Sequence, residues 1–277
     1  MENRVNTNLY KLRYCLLILT ASVFAACSGG SEPEQAAQEE PAVEAITEAP
    51  AAHDLTSLLA SGARSEADRA RDAGRKPTEV IAFLGSEPSM TVIDIFAAGG
   101  YYTEVMSLAV GPEGHVSAQN PAFILEMRDG VNEKALTERL ANNRLANVSR
   151  LDKELADISA ADGPFDAGMT ALNFHDIYNN YGEEGALGFL TTIFEALRPG
   201  GVFGIIDHAG AEGNDNKALH RVQKADAIRI AEAAGFVVEG DSGLLHMHDD
   251  DMTQGVFAEG IRGKTTRFLL KLRKPGG

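Results

Sequence analysis

The sequence predicts an α/β fold built on a buried, mostly parallel sheet, and three observations predict it. Residues 91–104 read as strand, tight turn and helix: Val92-Ile93-Asp94-Ile95, then Phe96-Ala97-Ala98-Gly99-Gly100, then an apolar-sided helix over 103–110. Residues 184–197 carry Leu187, Leu190, Phe194 and Leu197 at helical spacing and run into Arg198-Pro199-Gly200-Gly201 and another apolar run. Phe268, Leu270 and Leu272 alternate along 266–273, as one face of a strand does.

The 277-residue chain is 44% hydrophobic, enough for one large domain and a tail. Its formal charge of −15 leaves no basic excess to displace counterions, so a nucleic-acid partner is not expected. Arg4, Lys11 and Arg13 precede an apolar run over 14–26, too short to span a bilayer and of the length of a signal-peptide core. It ends in Phe24-Ala25-Ala26-Cys27, which resembles a bacterial lipobox with Phe24 in the usual leucine position; an ordinary signal peptide cut near Ala26 is the alternative. Residues 1–26 are thus read as signal peptide, with Cys27 as a lipidated N-terminus that tethers the chain to the cell envelope. Ser28, rather than Asp, after that cysteine points to the periplasmic face of the outer membrane. The only other cysteine, Cys15, leaves with the signal peptide, so the folded domain needs no disulfide and has no cysteine nucleophile. Residues 27–54 are rich in Ala, Glu, Gln and Pro and carry no Lys or Arg, a composition that predicts a disordered acidic linker. The domain proper is 55–277.

Along that domain, Ser65 caps a helix bearing Arg69, Arg71 and Arg75, whose charges read as a solvated face. Pro77 breaks it, and 78–84 form a second helix with Thr78 as cap and Gly85 as its end. After the 103–110 helix, 115–118 form the second strand, ending at Gln119-Asn120. A polar helix over 135–145 leads to a third strand, 148–151, with Asp152 behind it. The fourth strand, 165–172, delivers Asn173-Phe174-His175-Asp176 to its carboxyl end, with Tyr178 and Tyr181 just beyond. The fifth, 202–206, delivers Asp207-His208, and His220-Arg221 follow a Gly-rich loop. A helix over 225–234 closes at Gly235, and 236–239 form the sixth strand. The long connection 241–264 contains His246-Met247-His248-Asp249-Asp250-Asp251; His-x-His can share one side of an extended chain and bind a metal, but a solvated loop is the preferred reading and no metal site is expected.

An acid in the strand before a small-residue turn resembles motif I of the class I S-adenosylmethionine-dependent methyltransferases, with Phe96, Ala98 and Gly100 in its three glycine positions. The helix–Leu-x-Pro-Gly-Gly–strand pattern, Ala233-Ala234-Gly235-Phe236 and the last strand follow in that family's order. Residues 71–77 also resemble a lead-in of predicted bacterial methyltransferases that carry signal peptides. The resemblance implies a Rossmann-like, doubly wound sheet of seven strands, mostly parallel with an antiparallel last strand, and S-adenosylmethionine as cofactor. It implies that Asp94, Phe96, Gly99, Gly100, Tyr102, Gln119, Asn120, Asp152 and Asn173 hold the donor. An acid commonly binds the ribose where Gln119-Asn120 stand, so the chain departs from the pattern there. For catalysis, His175 or His208 is expected as base, oriented by Asp176 or Asp207, with His220 and Arg221 beside a small-molecule acceptor. The alternative is a methyltransferase-like binding module that has lost the reaction, for which export away from the cytoplasmic donor supply argues.

Overall fold

Seven strands form one sheet in the order β3-β2-β1-β4-β5-β7-β6: β1 (Thr91–Ile95), β2 (His115–Gln119), β3 (Val148–Leu151), β4 (Phe165–Ala171), β5 (Leu197–His208), β6 (Val237–Ser242) and β7 (Arg267–Arg273). The structure, a computed structural model, describes residues 54–276. The expected signal segment, Cys27 and all of the acidic linker but Asp54 lie outside the described residues. Among those described, no helix is long and apolar enough to cross a membrane.

β1 pairs in parallel with β2 and β4, β2 with β3, and β4 with β5. β7 runs antiparallel to both β5 and β6, so it alone is reversed, as expected. Alternation along β1 sorts its side chains to two cores. Ile93 and Ile95 pack with Phe174, Phe189 and Ile193 of α6 (Phe174–Ala196) and Ile230 of α7 (Lys224–Ala233). Val92 faces the other way, onto Leu59 of α1 (Leu55–Ala60), Val80 and Leu84 of α3 (Pro77–Leu84), and Val105 and Met106 of α4 (Tyr101–Val110). Strands buried on both faces explain the near-continuous apolar runs of the sequence.

Several boundaries differ from expectation for local physical reasons. Ser65 caps α2 (Glu66–Arg75) as expected, its side chain accepting from the Asp68 amide at 3.1 Å. Pro77 does not simply end that helix. It is the first residue of α3, where its missing N–H costs nothing, and Lys76 in the left-handed region (φ 44°) makes the corner instead of Thr78. Gly85 closes α3 at φ 78°. The polar helix starts thirteen residues before the expected Ala135: α5 (Ala122–Leu140) is broken by non-helical backbone at Met127, Arg128, Asp129 and Gly130. α6 begins at Phe174, ten residues before the expected Glu184, and is broken at Gly182. His175 and Asp176 therefore sit in the first turn of a helix and not in a loop. Pro199-Gly200 fall in an irregularity of the β4–β5 register, where Phe165 faces Leu197 but Ala167 faces Val202.

Candidate functional site

The carboxyl end of β1 opens into a cavity of about 290 Å³. Its floor is the turn from Phe96 to Gly99 with Tyr101 and Tyr102 at the start of α4. α2 supplies Arg71 and Arg75, the second half of α5 supplies Val131, Asn132, Ala135 and Arg139, and Asn173 closes the side toward β4. Val131, Ala135 and Arg139 recur every fourth residue, so one stripe of α5 faces the cavity.

The turn keeps a glycine-type backbone without its glycines. Phe96 (φ 55°), Ala98 (φ 51°) and Gly100 (φ 81°) all lie in the left-handed region. A bulky aromatic there is a conformational outlier held by its surroundings. Those surroundings are the two amides that end β2. Gln119 Oε1 accepts from the Phe96 N–H at 3.1 Å and Asn120 Oδ1 from the Ala98 N–H at 2.8 Å, while Asn120 Nδ2 donates back to the Ala98 carbonyl at 3.3 Å. The Phe96 ring stacks on Phe189 at 6.1 Å between centroids. Gly100 is needed by its own neighbours: a Cβ there would meet Leu136 Cδ1 and Arg139 Cδ at 3.0 Å.

The charges of the cavity are uneven. Asp94 is buried and accepts from Thr103 Oγ1 at 2.6 Å; burial pushes its carboxyl up to about 7, against the pull of the Thr103 hydrogen bond and of Arg75 and Arg139. Arg71 pairs with Asp68, and Arg139 pairs with Asp68 and Glu104 and donates to the Gly99 carbonyl at 2.8 Å. Arg75 pairs with no carboxylate among the described residues. Its guanidinium lies 4.5 Å from the Tyr101 ring centroid and 5.6 Å from that of Tyr102, and burial lowers its pKa. The arginines of α2 were expected to be a solvated face; Arg75 is instead drawn into the cavity wall by two aromatic rings.

Of the residues expected to hold a donor, Asp94, Phe96, Gly99, Tyr102 and Asn173 line the cavity. Gln119, Asn120, Gly100 and Asp152 do not. The first two are fully buried and bound to the turn, and Gly100 packs against α5. Asp152 is exposed and pairs with Arg150 at 2.8 Å.

The expected catalytic residues also stand apart from this wall. His175, Asp176, Asp207, His208 and His220 gather at the ends of β4 and β5, and none of them lines the cavity. Asp207 is fully buried: Oδ1 accepts from the His208 amide at 2.6 Å and lies 2.7 Å from His175 Nδ1, while Oδ2 accepts from the His175 amide at 2.8 Å. Burial pushes the His175 imidazole down, but the facing Asp207 outweighs it and raises the pKa. Burial takes His208 down to about 4. The two rings are 5.6 Å apart, yet hydrogen bonds to Asp207 and Thr265 hold them at the strand ends, away from Gly99. Arg221 is not available to an acceptor. It is completely buried, forms two 2.9 Å hydrogen bonds to Asp250, and donates to the Gln254 and Ala209 carbonyls. That clamp, with buried Leu245 and Val256, shows that the long connection read as a solvated loop is partly packed core. Tyr178 and Tyr181, just beyond Asp176 in the sequence, lie outside the cavity, and Tyr181 is exposed.

Sequence reasoning missed Tyr101, Val131, Asn132, Ala135 and Arg139 as lining residues. The four-residue spacing on α5 was the available signal, hidden by placing the helix start at 135.

No protein-family model matches the sequence, and no curated protein matches it. Solved structures do match the fold. A SAM-dependent methyltransferase from Aquifex aeolicus aligns at 21% identity and TM-score 0.51, over 72% of this chain and 89% of the other. A Galdieria sulphuraria protein assigned as a sarcosine dimethylglycine methyltransferase aligns at 16% identity and TM-score 0.52, over 73% and 85%. The pyocyanin biosynthetic protein PhzM aligns at 16% identity and TM-score 0.50, over 80% and 62%. At these identities the likeness establishes the fold: a Rossmann-like sheet of the methyltransferase kind.

Proposed function

We propose that the chain is an S-adenosylmethionine-dependent methyltransferase acting on a small-molecule acceptor, tethered to the cell envelope through lipidated Cys27. The observation that carries the reading is Arg75, a half-buried guanidinium without a carboxylate partner among the described residues, lining the cavity at the end of β1. Such a group favours an anionic ligand, and the donor carries a carboxylate.

The other lining residues fit the rest of the donor. Asp94 accepts hydrogen bonds from its ammonium. Phe96, Tyr101 and Tyr102 offer ring faces and edges to an adenine or a sulfonium. Gly99 leaves the floor open, and the N-terminus of α4 adds partial positive charge. When bound, S-adenosylmethionine supplies an electrophilic methyl group on a cationic sulfur. The chain's own contribution is alignment and exclusion of water, with Asn173 at the side where an acceptor approaches. No base is assigned, because the histidines expected for that role are off the wall.

The same absence favours a second reading, a module that binds the donor without using it. Incubation with methyl-labelled donor and a small-molecule extract of the cell envelope separates the two. An enzyme moves label into a product, and Arg75→Ala lowers the rate at least about tenfold. Donor binding with no labelled product from any fraction supports the module, and no donor binding contradicts both.

A further inference from the structure

We propose that His175, Asp176 and His220 form a binding site for a borderline divalent cation of the zinc, cobalt and nickel kind. The site is separate from the cavity and independent of the methyl-donor reading. One ligand atom from each residue lies within 4.8 Å of the others. Asp176 Oδ1 is 3.4 Å from His175 Nε2 and 3.5 Å from His220 Nδ1. Two ligands of a tetrahedral zinc ion, each about 2.0–2.1 Å from the metal, stand about 3.3–3.4 Å apart, so two edges of the tetrahedron are already present. The third edge closes by small movements of Asp176 and His220, whose exposed side chains are free to make them.

Two features beyond proximity point to a metal. The first is the partner behind the buried ligand. His175 is 3% exposed, and its Nδ1 faces the buried Asp207 carboxylate at 2.7 Å. In the neutral ring that bond takes up the Nδ1 proton and leaves Nε2 as the ligand atom, the arrangement by which a carboxylate orients a metal-bound histidine. Nε2 makes no hydrogen bond among the described residues and faces Asp176 Oδ1 at 3.4 Å, so it is open to a metal. The second is the backbone of His220, held at φ 53°. Outside glycine this conformation is uncommon and persists where the surroundings impose it. Here the next residue, Arg221, is locked by its two bonds to Asp250, which anchors the backbone from which the exposed His220 side chain reaches the site. Two imidazoles and one carboxylate suit zinc, cobalt or nickel better than magnesium or calcium. Three protein ligands leave a position open, as in sites where a metal activates water or a substrate oxygen.

The test is titration of the chelator-treated, donor-free protein with zinc chloride, followed by calorimetry, and with cobalt chloride, followed by the visible absorption of the bound ion. One zinc per chain is expected, with a tetrahedral cobalt spectrum. His220→Ala and Asp176→Asn, both at exposed positions, should each weaken zinc at least about tenfold, while a His246→Ala/His248→Ala control leaves it unchanged. No zinc binding at about millimolar metal overturns the site. So does binding that survives both site variants or disappears in the control. Zinc binding without donor binding leaves this site standing and removes only the methyltransferase reading; the converse does the reverse.

Discussion

Asp94 of β1 and Ala98 of the turn that follows it carry free energy in the direction opposite to function. Asp94 titrates near 7 in the fold against an ordinary value of 3.8, chiefly because burial disfavours its charge. Between about pH 4 and pH 7 the native state therefore holds a proton that the unfolded chain has released, and stability falls as pH rises through that window. Asp94→Asn should remove this fall and make the ligand-free protein more stable at pH 8 by up to about 4 kcal/mol, while weakening donor binding at least about tenfold. Urea unfolding of both proteins at pH 5 and pH 8 checks it; equal pH dependence in the two would place the burden elsewhere. Ala98 has a left-handed backbone, φ 51°, and only a methyl group for a side chain. Ala98→Gly should relieve about 1–2 kcal/mol of conformational cost and lose about half of it to the greater freedom of glycine when unfolded, a net gain of up to about 1 kcal/mol. A loss of stability in the same unfolding measurement would show that the Ala98 methyl is needed. These residues also mark what was legible at this scale. The acid and the small turn were visible as a pattern. That the chain keeps the glycine backbone with Phe96 and Ala98 in place was not, because a φ angle is imposed here by Gln119 and Asn120, about twenty residues away.

At the scale of elements, periodicity found the strands and missed two helix starts. β3 was located to the residue and β1, β2, β4 and β7 to within one or two, since alternating or continuous apolar runs are a strong local signal. α5 and α6 begin earlier than their apolar stripes because a break at residues 127–130 and another at Gly182 interrupt the helical spacing that would have revealed them. The shift matters to function, since it turns Val131 and Asn132 into cavity wall and His175 and Asp176 into the head of a helix. Arg221 and Asp250 show the limit more sharply. They stand 29 residues apart, and only the fold reveals that they meet as a fully buried pair. Arg221→Ala should destabilise the protein by about 3–5 kcal/mol, because it leaves the Asp250 carboxylate buried and unpaired. Donor affinity of the fraction that stays folded should be unchanged. A large loss of affinity with normal thermal stability would instead return Arg221 to the binding site.

At the scale of the whole molecule, the sheet was predictable and the division of its edge was not. Seven strands, with only β7 reversed, place every strand-end residue of β1, β4 and β5 along one edge. Sequence order alone suggests that all of these residues converge on one pocket. The packing separates them into a cavity of about 290 Å³ over β1 and a histidine cluster over β4 and β5, because Asp207 and Thr265 hold the imidazoles where they are. The proposed binding of a methyl donor rests on the first of these places. The direct test is calorimetric titration of the purified protein with S-adenosylmethionine, alongside Arg75→Ala. One donor per chain at about micromolar Kd, near −8 kcal/mol, is predicted, with at least about a tenfold loss in the variant. A folded protein that gives no heat with about millimolar donor would contradict it, as would equal affinity in the two proteins.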